Sequence, residues 1–362
     1  WNEIMKNNKL FFPALTGYRA IAAWIIFIYH FFPFNNPNFP IFLKNIIGEF
    51  HFGVDLFFVL SGFLITYRYF DQAKIDFKQY MVNRFARIYP MYFLMTILVF
   101  LVGYIKSPEW NMDKTIEFVL SITMLKALFT KYFLSGVPQG WTLTLEELFY
   151  FTAPFYFILI KKSKKWLIII PIVILLFGMG IKSFFNTENN IWGFLQSNIY
   201  VFIFEFFSGI LLAILIKSKL IKFKINWVTY FGLLMLILYV SCLQFLKPYF
   251  NFKADIIRSI ELIGLSLFGI VPLLWGLINE QTIIQKFLSS RYMVLLGKSS
   301  YIFYLIHKGF IPIFINDYLT SNKLLLFILL NIISILMYIY LEEPVNNFIR
   351  KIYKSTKKPQ LC

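Results

Sequence analysis

An arginine and a histidine lie in one apolar segment close to the start of the chain. The segment LTGYRAIAAWIIFIYHFFP, residues 15–33, carries Arg19 and His30. Ionisable side chains are costly in hydrocarbon, so their presence in such a segment indicates a functional role. Eleven helical positions turn through about 1,100°, so both side chains share one face, about 16 Å apart along the axis. The guanidinium suits phosphate, and the imidazole suits proton transfer near neutral pH.

The rest of the sequence predicts what holds this segment, namely a bundle of membrane-spanning helices. The chain has 362 residues, of which 59% are hydrophobic and 15% are charged. Apolar runs of about 20 residues recur along it, which predicts an all-α polytopic membrane protein. We predict about ten spans, near 15–32, 52–70, 88–105, 141–160, 166–181, 192–216, 227–246, 256–278, 299–317 and 324–342. The shorter segment 113–130 carries lysines and is predicted as an interfacial or re-entrant helix.

The distribution of basic residues predicts the orientation of these spans. With ten spans, lysine and arginine fall roughly two to one on the side of the termini, which predicts cytoplasmic N and C termini. The net charge of +17 follows from this bias and does not point to nucleic acid. We expect one transmembrane domain over residues 1–348 and a basic cytoplasmic tail over 349–362. The two cysteines, Cys242 and Cys362, are too few and too far apart to indicate a metal site or a disulfide framework.

This orientation brings ionisable residues from four helices to a similar depth in the outer half of the membrane. They are His30 on the first span, His51 and Asp55 on the second, Glu146 and Glu147 on the fourth, and Glu261 on the eighth. A carboxylate at this depth either pairs with a neighbour to hold the bundle together or takes part in chemistry. Glu205 and His307, at mid-depth on the sixth and ninth spans, fit a structural and a functional role equally.

Two further arginines, Arg84 and Arg87, stand at the cytoplasmic entrance of the third span, in NRFARIYPMYF. Positions three apart on a helix present both guanidinium groups to the same neighbour. The pair fits phosphate binding, or ordinary anchoring at the cytoplasmic interface. The first span could in turn hold a phosphate near the cytoplasm and a thioester in its outer half, because the Arg19–His30 separation is comparable to an extended phosphopantetheine arm.

These motifs, in this order, resemble acyltransferase family three, integral membrane enzymes that O-acylate cell-surface sugars. Arg19 and His30, with ten residues between them, resemble the family's first-helix signature. GVDLFFVLSGFLIT resembles the second-helix block, and RFARIYPMY resembles the Arg-x-x-Arg motif. WTLTLEELFYFTAPF resembles the Trp-Ser-Leu-Ser-Val-Glu-Glu-Gln-Phe-Tyr block, with Thr142, Thr144 and Leu148 replacing two serines and a glutamine. FEFFSGILLAIL, GKSSYIFYLIHKGF and EEPVNNF fit the later blocks, so the resemblance covers nearly the whole chain.

The resemblance implies an enzyme of the cell membrane that uses acyl-coenzyme A from the cytoplasmic side. It implies a carbohydrate hydroxyl as the acceptor, on a polysaccharide unit, a lipid-linked glycan or another glycosylated small molecule. Acetyl is the acyl group expected by default, and no metal is expected. Some relatives carry an extra soluble esterase-like domain after the last helix, and this chain is expected to be the stand-alone form.

The same resemblance suggests roles for single residues. His30 is expected to act as general base or to carry the acyl group briefly, with a carboxylate, Glu146 or Asp55, orienting the imidazole. Arg19, Arg84 and Arg87 are expected to bind the phosphates of the donor. The candidates for binding the acceptor are Trp141, Glu147, Glu261 and His307.

Another class of protein also fits part of the pattern. A transporter or flippase for a glycan or an acyl carrier would have a similar number of spans and intramembrane carboxylates. The hydropathy pattern shows no internal two-fold repeat and no paired broken helices, which disfavours a transporter. A structural partner of a polysaccharide export complex is a lesser alternative. The segment 106–140, with Trp110 and Tyr132, is a candidate surface for stacking against a sugar.

Overall fold

Helices make up all the long elements of the computed structural model, which describes residues 11–185, 199–218, 227–246, 249 and 255–356. We number the α-helices as follows: α1 Pro13–Phe31, α2 Ile41–Gly48, α3 Gly53–Tyr69, α4 Phe77–Lys106, α5 Met112–Ile122, α6 Trp141–Lys162, α7 Trp166–Phe185, α8 Ile203–Ser218, α9 Val228–Leu246, α10 Asp255–Gly264, α11 Val271–Asn279, α12 Ile283–Leu288, α13 Arg291–Ile306, α14 Phe310–Tyr318, α15 Lys323–Met337 and α16 Glu343–Thr356. Turns of π-helix, Leu265–Ile270 and Tyr338–Glu342, join α10 to α11 and α15 to α16.

Within the described ranges, eight helical stretches are long and apolar enough to cross a membrane. They are Pro13–Phe31, Ile41–Tyr69, Phe77–Lys106, Pro138–Lys162, Trp166–Phe184, Tyr200–Ser218, Asp255–Asn279 and Lys323–Tyr353. A shorter apolar stretch, Val228–Leu243, lies in α9. The protein is therefore an all-α, multi-pass membrane protein, as the apolar runs predicted. The number of spans and the cytoplasmic location of both termini stay predictions.

The segment predicted as a ninth span, 299–317, is broken in the structure. Helix α13 ends at Ile306, α14 begins at Phe310, and Gly309 between them has a φ of 114°, a conformation that favours glycine. The side-chain amide of Gln139 donates to the carbonyl oxygens of Leu305, at 2.6 Å, and Lys308, at 3.2 Å. A residue far away in sequence thus satisfies backbone groups that the break exposes, which hydropathy alone does not predict.

The segment predicted as interfacial or re-entrant, 113–130, holds only the short helix α5 and turns of 3₁₀-helix. The 11 residues of α5 span about 16 Å, against a hydrocarbon core of about 30 Å. Asn111 caps the helix by accepting a hydrogen bond from the backbone N–H of Lys114 at 2.9 Å. A length this short agrees with the prediction that the segment does not cross the membrane.

The described residues fall into two compact units. The first comprises Trp1–Asp71, Tyr156–Leu175 and Tyr200–Lys298, and the second comprises Gln72–Phe155, Leu176–Ile199 and Ser299–Cys362, counting the described residues of each. The predicted limits of a transmembrane domain, 1–348, and a tail, 349–362, stay predictions, and α16 runs through residue 348.

In the first unit, α3 and α8 pack closely because both carry glycine at the crossing. A Cβ atom on Gly62 would lie 2.1 Å from the carbonyl oxygen of Phe206, and one on Gly209 would lie 2.0 Å from that of Val59. Small residues at a helix crossing let two backbones approach in a membrane protein. The crossing therefore sets the positions along the two helices at which the side chains of α3 and α8 meet.

In the second unit, buried tyrosine hydroxyl groups bond to backbone carbonyl oxygens. Tyr80 donates to Tyr150 at 2.7 Å, Tyr301 to Ile88 at 2.7 Å, and Tyr92 to Ser121 at 2.8 Å. Each bond joins α4 to another element of the unit. They fix the position of α4, the helix that carries Arg84 and Arg87.

Candidate active site

The first helix holds Arg19 and His30 as the sequence predicted. Arg19 is half-buried and His30 is exposed, in the last turn of α1. The His30 ring meets the edge of Tyr29, with ring centroids 5.0 Å apart, and Tyr29 lies 6.0 Å from the His51 ring. His30 is thus the basic residue in the last turn of α1, the end of a helix that favours a cation.

His51 and Asp55 lie in the same unit, where α3 begins. The Nδ1 atom of His51 lies 3.2 Å from the carbonyl oxygen of Gly48, so that nitrogen donates and carries the hydrogen. Asp55 stands in the first turn of α3 and is 1% exposed, close enough to His51 for an electrostatic interaction. A carboxylate in the first turn is stabilised by the helix dipole. His51 therefore has both Tyr29 and Asp55 as neighbours.

Asp55 also lies near Glu205, which stands in the first turn of α8 and is completely buried. The two carboxyl groups are close enough for an electrostatic interaction. Two buried carboxyl groups in such proximity repel each other when both are ionised. Sequence reasoning left the role of Glu205 open, and the structure makes it the immediate partner of Asp55.

A guanidinium group completes this buried network. Arg258 donates to Glu261 at 2.6 Å, and the hydroxyl group of Tyr239 donates to the same carboxylate oxygen. Arg258 also acts electrostatically on Asp55 and Glu205. Sequence reasoning chose Glu261 but missed Arg258 and Tyr239. The signal for Arg258 was its spacing, three residues before a carboxylate in an apolar helix.

In the second unit, the two arginines of the Arg-x-x-Arg motif have different described neighbours. Arg84 is buried, with its guanidinium 5.6 Å from the centre of the Tyr150 ring, and it acts electrostatically on Glu147. Arg87 is half-buried and acts electrostatically on Tyr338. That both guanidinium groups meet one shared neighbour stays a prediction. A carboxylate near Arg84 also offsets part of the positive charge that a phosphate would meet.

The other predicted residues of this unit lie on α6 and at the α13–α14 break. Trp141 stacks on Phe133, with ring centroids 5.3 Å apart and an interplanar angle of 29°. Glu146 and Glu147 are both half-buried on α6. His307 is completely buried, and its Nδ1 atom lies 2.7 Å from the carbonyl oxygen of Tyr304. Its burial at the break favours the structural role among the two that the sequence left open.

The predicted stacking surface of the 106–140 segment is only half available. Trp110 is exposed, whereas Tyr132 is buried and donates to the Asp113 carboxylate at 2.7 Å. Lys131 and Tyr132 both bond to Asp113, which holds the pKa of that carboxyl group below its usual value. Tyr132 thus stabilises the loop and cannot offer a ring face to a ligand.

No group of three or more His, Cys, Asp or Glu residues in the described part of the chain has the arrangement of a metal site.

Residues 12–342 match the sequence model of an acyltransferase domain. The chain belongs to this acyltransferase family. The match runs from the start of α1 to the end of the π-helical turn before α16, and it covers the sequence blocks on which the resemblance rested except most of EEPVNNF, which begins at Glu342. The membrane-spanning helices described above are therefore those of an acyltransferase domain.

Similar proteins include O-acetyltransferases of bacteria. The chain is 24% identical to the O-acetyltransferase OatA of Staphylococcus aureus strain NCTC 8325 over an alignment of 388 positions, and this alignment covers 94% of this chain and 56% of OatA. It is 28% identical to the peptidoglycan O-acetyltransferase OatA of Listeria monocytogenes over 193 residues, 49% of this chain and 29% of that protein. The chain thus spans little more than half the length of the Staphylococcus protein, and its match to the Listeria protein covers less than a third of that protein. No solved structure gives a significant match to the chain.

Proposed function

We propose that this acyltransferase transfers an acetyl group from acyl-coenzyme A to a hydroxyl group of a carbohydrate at the cell membrane. The observation that carries the proposal is the arrangement at the end of α1, where His30 is exposed next to Tyr29, with His51 and Asp55 in the same unit. Family membership supports acyl transfer, and the names of the relatives support an O-acetyl product and a glycan acceptor.

The chemistry requires a base, because a sugar hydroxyl is a poor nucleophile until it loses its proton. In the proposed step, His30 accepts that proton while the hydroxyl oxygen attacks the carbonyl carbon of the acetyl thioester. The carbon–sulfur bond breaks, and coenzyme A leaves as a thiolate that takes the proton from the imidazolium. In this step, the C-terminal end of α1 and a carboxylate, with Asp55 as the first candidate, stabilise the imidazolium between these two transfers. Glu146 is the alternative candidate for the carboxylate that orients the imidazole.

For the phosphates of the donor, we propose Arg19 in the first unit. A half-buried guanidinium on α1 keeps its charge at all working pH values and presents several donors to a phosphate. In the second unit, Arg84 and Arg87 are proposed for the same role in binding phosphate. Arg87 is the stronger of these two candidates, because the nearby Glu147 carboxylate offsets the charge of Arg84. We also propose that the donor enters from the cytoplasmic side.

For the acceptor, we propose a polysaccharide or glycolipid unit of the cell surface. Trp141 and Glu147 remain candidates for binding it. Glu261 is already bonded to Arg258 and Tyr239, so it is better suited to positioning the buried network than to meeting a sugar. His307 is completely buried, so it too is better suited to a structural role than to contact with a sugar.

The role of His30 can be tested with purified protein in lipid nanodiscs, supplied with acetyl-coenzyme A and a soluble glycan. Release of coenzyme A thiol and the mass of the acetylated glycan are measured together. His30→Ala should lose at least about 100-fold in rate, the usual minimum contribution of a general base. Asn35→Ala, an exposed position just after α1, is the matched control and should keep the wild-type rate. A His30→Ala protein with near-normal turnover would remove His30 from the mechanism.

Two chemical routes remain, and isotope exchange separates them. Direct attack needs donor and acceptor bound together, whereas an acetyl-histidine on His30 forms from the donor alone. Incubation with acetyl-coenzyme A and labelled coenzyme A, without glycan, therefore exchanges the label only by the second route. Exchange that His30→Ala abolishes would establish the acetyl-histidine.

A transporter of a glycan or an acyl carrier is the alternative function. The α13–α14 break is the one observation that favours it, since broken helices are common in transport folds. Movement of a labelled glycolipid across the bilayer without release of thiol would support this alternative. Release of thiol that depends on the glycan would exclude it as the sole function.

A further inference from the structure

A cavity of about 470 Å³ lies in the second unit, at the C-terminal end of α4. The end of α4, the residues that begin α5, and the segment 134–136 line it. Its volume lies in the range of small-ligand sites, about 300–1,000 Å³. None of the residues proposed above for acyl transfer lines it.

One wall of the cavity is aromatic. Trp110 is 49% exposed, and its ring lies 6.4 Å from that of Tyr104 and 6.3 Å from that of Phe100. The indole N–H of Trp110 donates to the Thr115 hydroxyl at 3.0 Å, which fixes the orientation of the ring. A fixed, exposed aromatic face suits a ligand with an apolar face of its own, because aromatic rings bury much area at little entropic cost.

The other walls are polar and carry both signs of charge. Lys114 and Glu117 form an ion pair at 2.7 Å, and Glu109 adds a second carboxylate. The lining therefore holds two acidic groups against one basic group. An anionic ligand, such as a phospholipid headgroup, gains nothing from this balance. A neutral ligand with several hydroxyl groups fits better, since carboxylates accept hydrogen bonds from them.

The polar segment 134–136 of the lining is fixed by hydrogen bonds. Lys126 is completely buried beneath it, and its ammonium group donates to the carbonyl oxygens of Ser135 and Val137. The Ser121 and Ser135 hydroxyl groups lie 3.2 Å apart and hydrogen-bond to each other. A wall fixed before the ligand arrives lowers the entropic cost of binding.

The cavity lies at the membrane interface or beyond it. Helix α4 has 30 residues and is about 45 Å long, well above the hydrocarbon core of about 30 Å. The apolar stretch of α4 ends near Tyr104, and Lys106, Glu109 and Lys114 follow. Charges at this density mark a watery environment, where a soluble or lipid-linked glycan is accessible.

We propose that this cavity binds a sugar ring of the acceptor glycan, with the ring stacked on Trp110 and its hydroxyl groups bonded to Glu117. The proposal deepens the proposed function and rests on it for the identity of the ligand. It assigns a carbohydrate subsite to residues that take no part in the acyl-transfer chemistry. It also explains why an exposed tryptophan in this lining is held in a fixed orientation.

Equilibrium binding tests the proposal without acyl transfer. Wild-type protein in phosphatidylcholine nanodiscs is titrated with chitotetraose, four linked N-acetylglucosamine residues, by isothermal titration calorimetry. Trp110→Ala should raise the dissociation constant at least about tenfold, as expected for loss of a central aromatic contact. Trp110→Phe keeps a ring at this position and should recover most of the affinity. Trp227→Ala, an exposed tryptophan packed against Phe231 in the first unit, is the matched control and should bind as wild type does.

Three results would overturn the proposal. They are absence of chitotetraose binding to wild-type protein, equal affinity in Trp110→Ala and Trp227→Ala, and binding of glycerophosphocholine at this cavity in place of the glycan. The last result would assign the cavity to a lipid headgroup.

Acetyl transfer is measured in parallel, so the two proposals fail separately. Normal transfer with an unchanged KM for the glycan in Trp110→Ala removes the subsite and leaves the proposed function intact. Trp110-dependent glycan binding by a protein that acetylates no glycan removes the proposed function and leaves the subsite. A raised KM with an unchanged kcat in Trp110→Ala supports both.

Discussion

Replacing Gly209 with alanine should loosen the contact between α3 and α8 on which the Asp55–Glu205 pair depends. A Cβ atom at this position would lie 2.0 Å from the carbonyl oxygen of Val59 and 2.6 Å from the backbone nitrogen of Phe63. Both neighbours are backbone atoms of α3, so no side chain can rotate away to make room. The two helices must therefore move apart.

The size of the effect follows from the distances. Ordinary contacts of a Cβ atom are longer than 3.4 Å, so the helices must separate by about 1 Å or more along much of the crossing. Overpacking of this kind usually costs about 1–3 kcal/mol, and a rigid backbone neighbour places Gly209→Ala at the upper end. At roughly 2–4 °C for each kcal/mol, the unfolding temperature should fall by about 5–10 °C. Acetyl transfer should fall as well if the carboxyl pair supports His30.

The assay is thermal unfolding of the purified protein in detergent or nanodiscs, followed by intrinsic tryptophan fluorescence. Gly180→Ala is the matched control, because a Cβ atom at this helical glycine meets nothing within 4 Å. It should leave the unfolding temperature unchanged or raise it slightly, since alanine favours helix. If Gly209→Ala unfolds at the same temperature as Gly180→Ala, α3 and α8 do not cross as closely as described.

Three further changes test the loop, the helix break and a helix cap. Burial lowers the pKa of Lys126 from 10.5 to about 7, so between these values the unfolded chain binds more protons and stability should rise with pH. Lys126→Met should flatten the rise in unfolding temperature between pH 7 and about pH 9. Gln139→Leu removes both donors to the carbonyl groups at the α13–α14 break and should lower the free energy of unfolding by about 1–3 kcal/mol. Glu280→Gln should lower it by about 1–2 kcal/mol, because the Glu280 carboxylate accepts hydrogen bonds from the first backbone N–H groups of α9.

Each of these three predictions has a control variant or an outcome that would refute it. Lys131→Met, at an exposed lysine paired with Asp113, is the control for Lys126, and an equal pH slope in both variants would refute the effect of burial. Gln79→Leu removes a side-chain amide that makes a single 3.4 Å bond, so it should cost less than Gln139→Leu. Denaturant unfolding of Glu280→Gln at the wild-type midpoint would show that the carboxylate does not cap α9.

Much of the fold followed from local patterns. The apolar run around Arg19 and His30 predicted α1 to within two residues at its start, since the structure begins it at Pro13. The same runs predicted an all-α membrane protein, because only helices of this length satisfy their backbone in lipid. The spacing of Arg19 and His30 placed both on one helix with no knowledge of their neighbours.

The features that the sequence did not predict depend on single residues and on their partners far away in sequence. Gly309 breaks a run that hydropathy presents as continuous, because a single glycine carries no apolar or polar signal of its own. Gln139, about 170 residues earlier in sequence, supplies the donors that make the break tolerable, as a buried backbone carbonyl requires a partner. The buried lysine at 126 looked like an ordinary interfacial charge.

The sequence by itself determined that the chain is an all-α membrane protein and which of its apolar segments carry ionisable groups, because both depend on the transfer of individual side chains between water and lipid. Only the tertiary structure decided that Glu205 is the partner of Asp55, that Arg258 joins their network, and that Trp110 faces a cavity. These pairings depend on how helices distant in sequence cross. The crossing depends in turn on small residues such as Gly209, whose effect is to let two backbones meet.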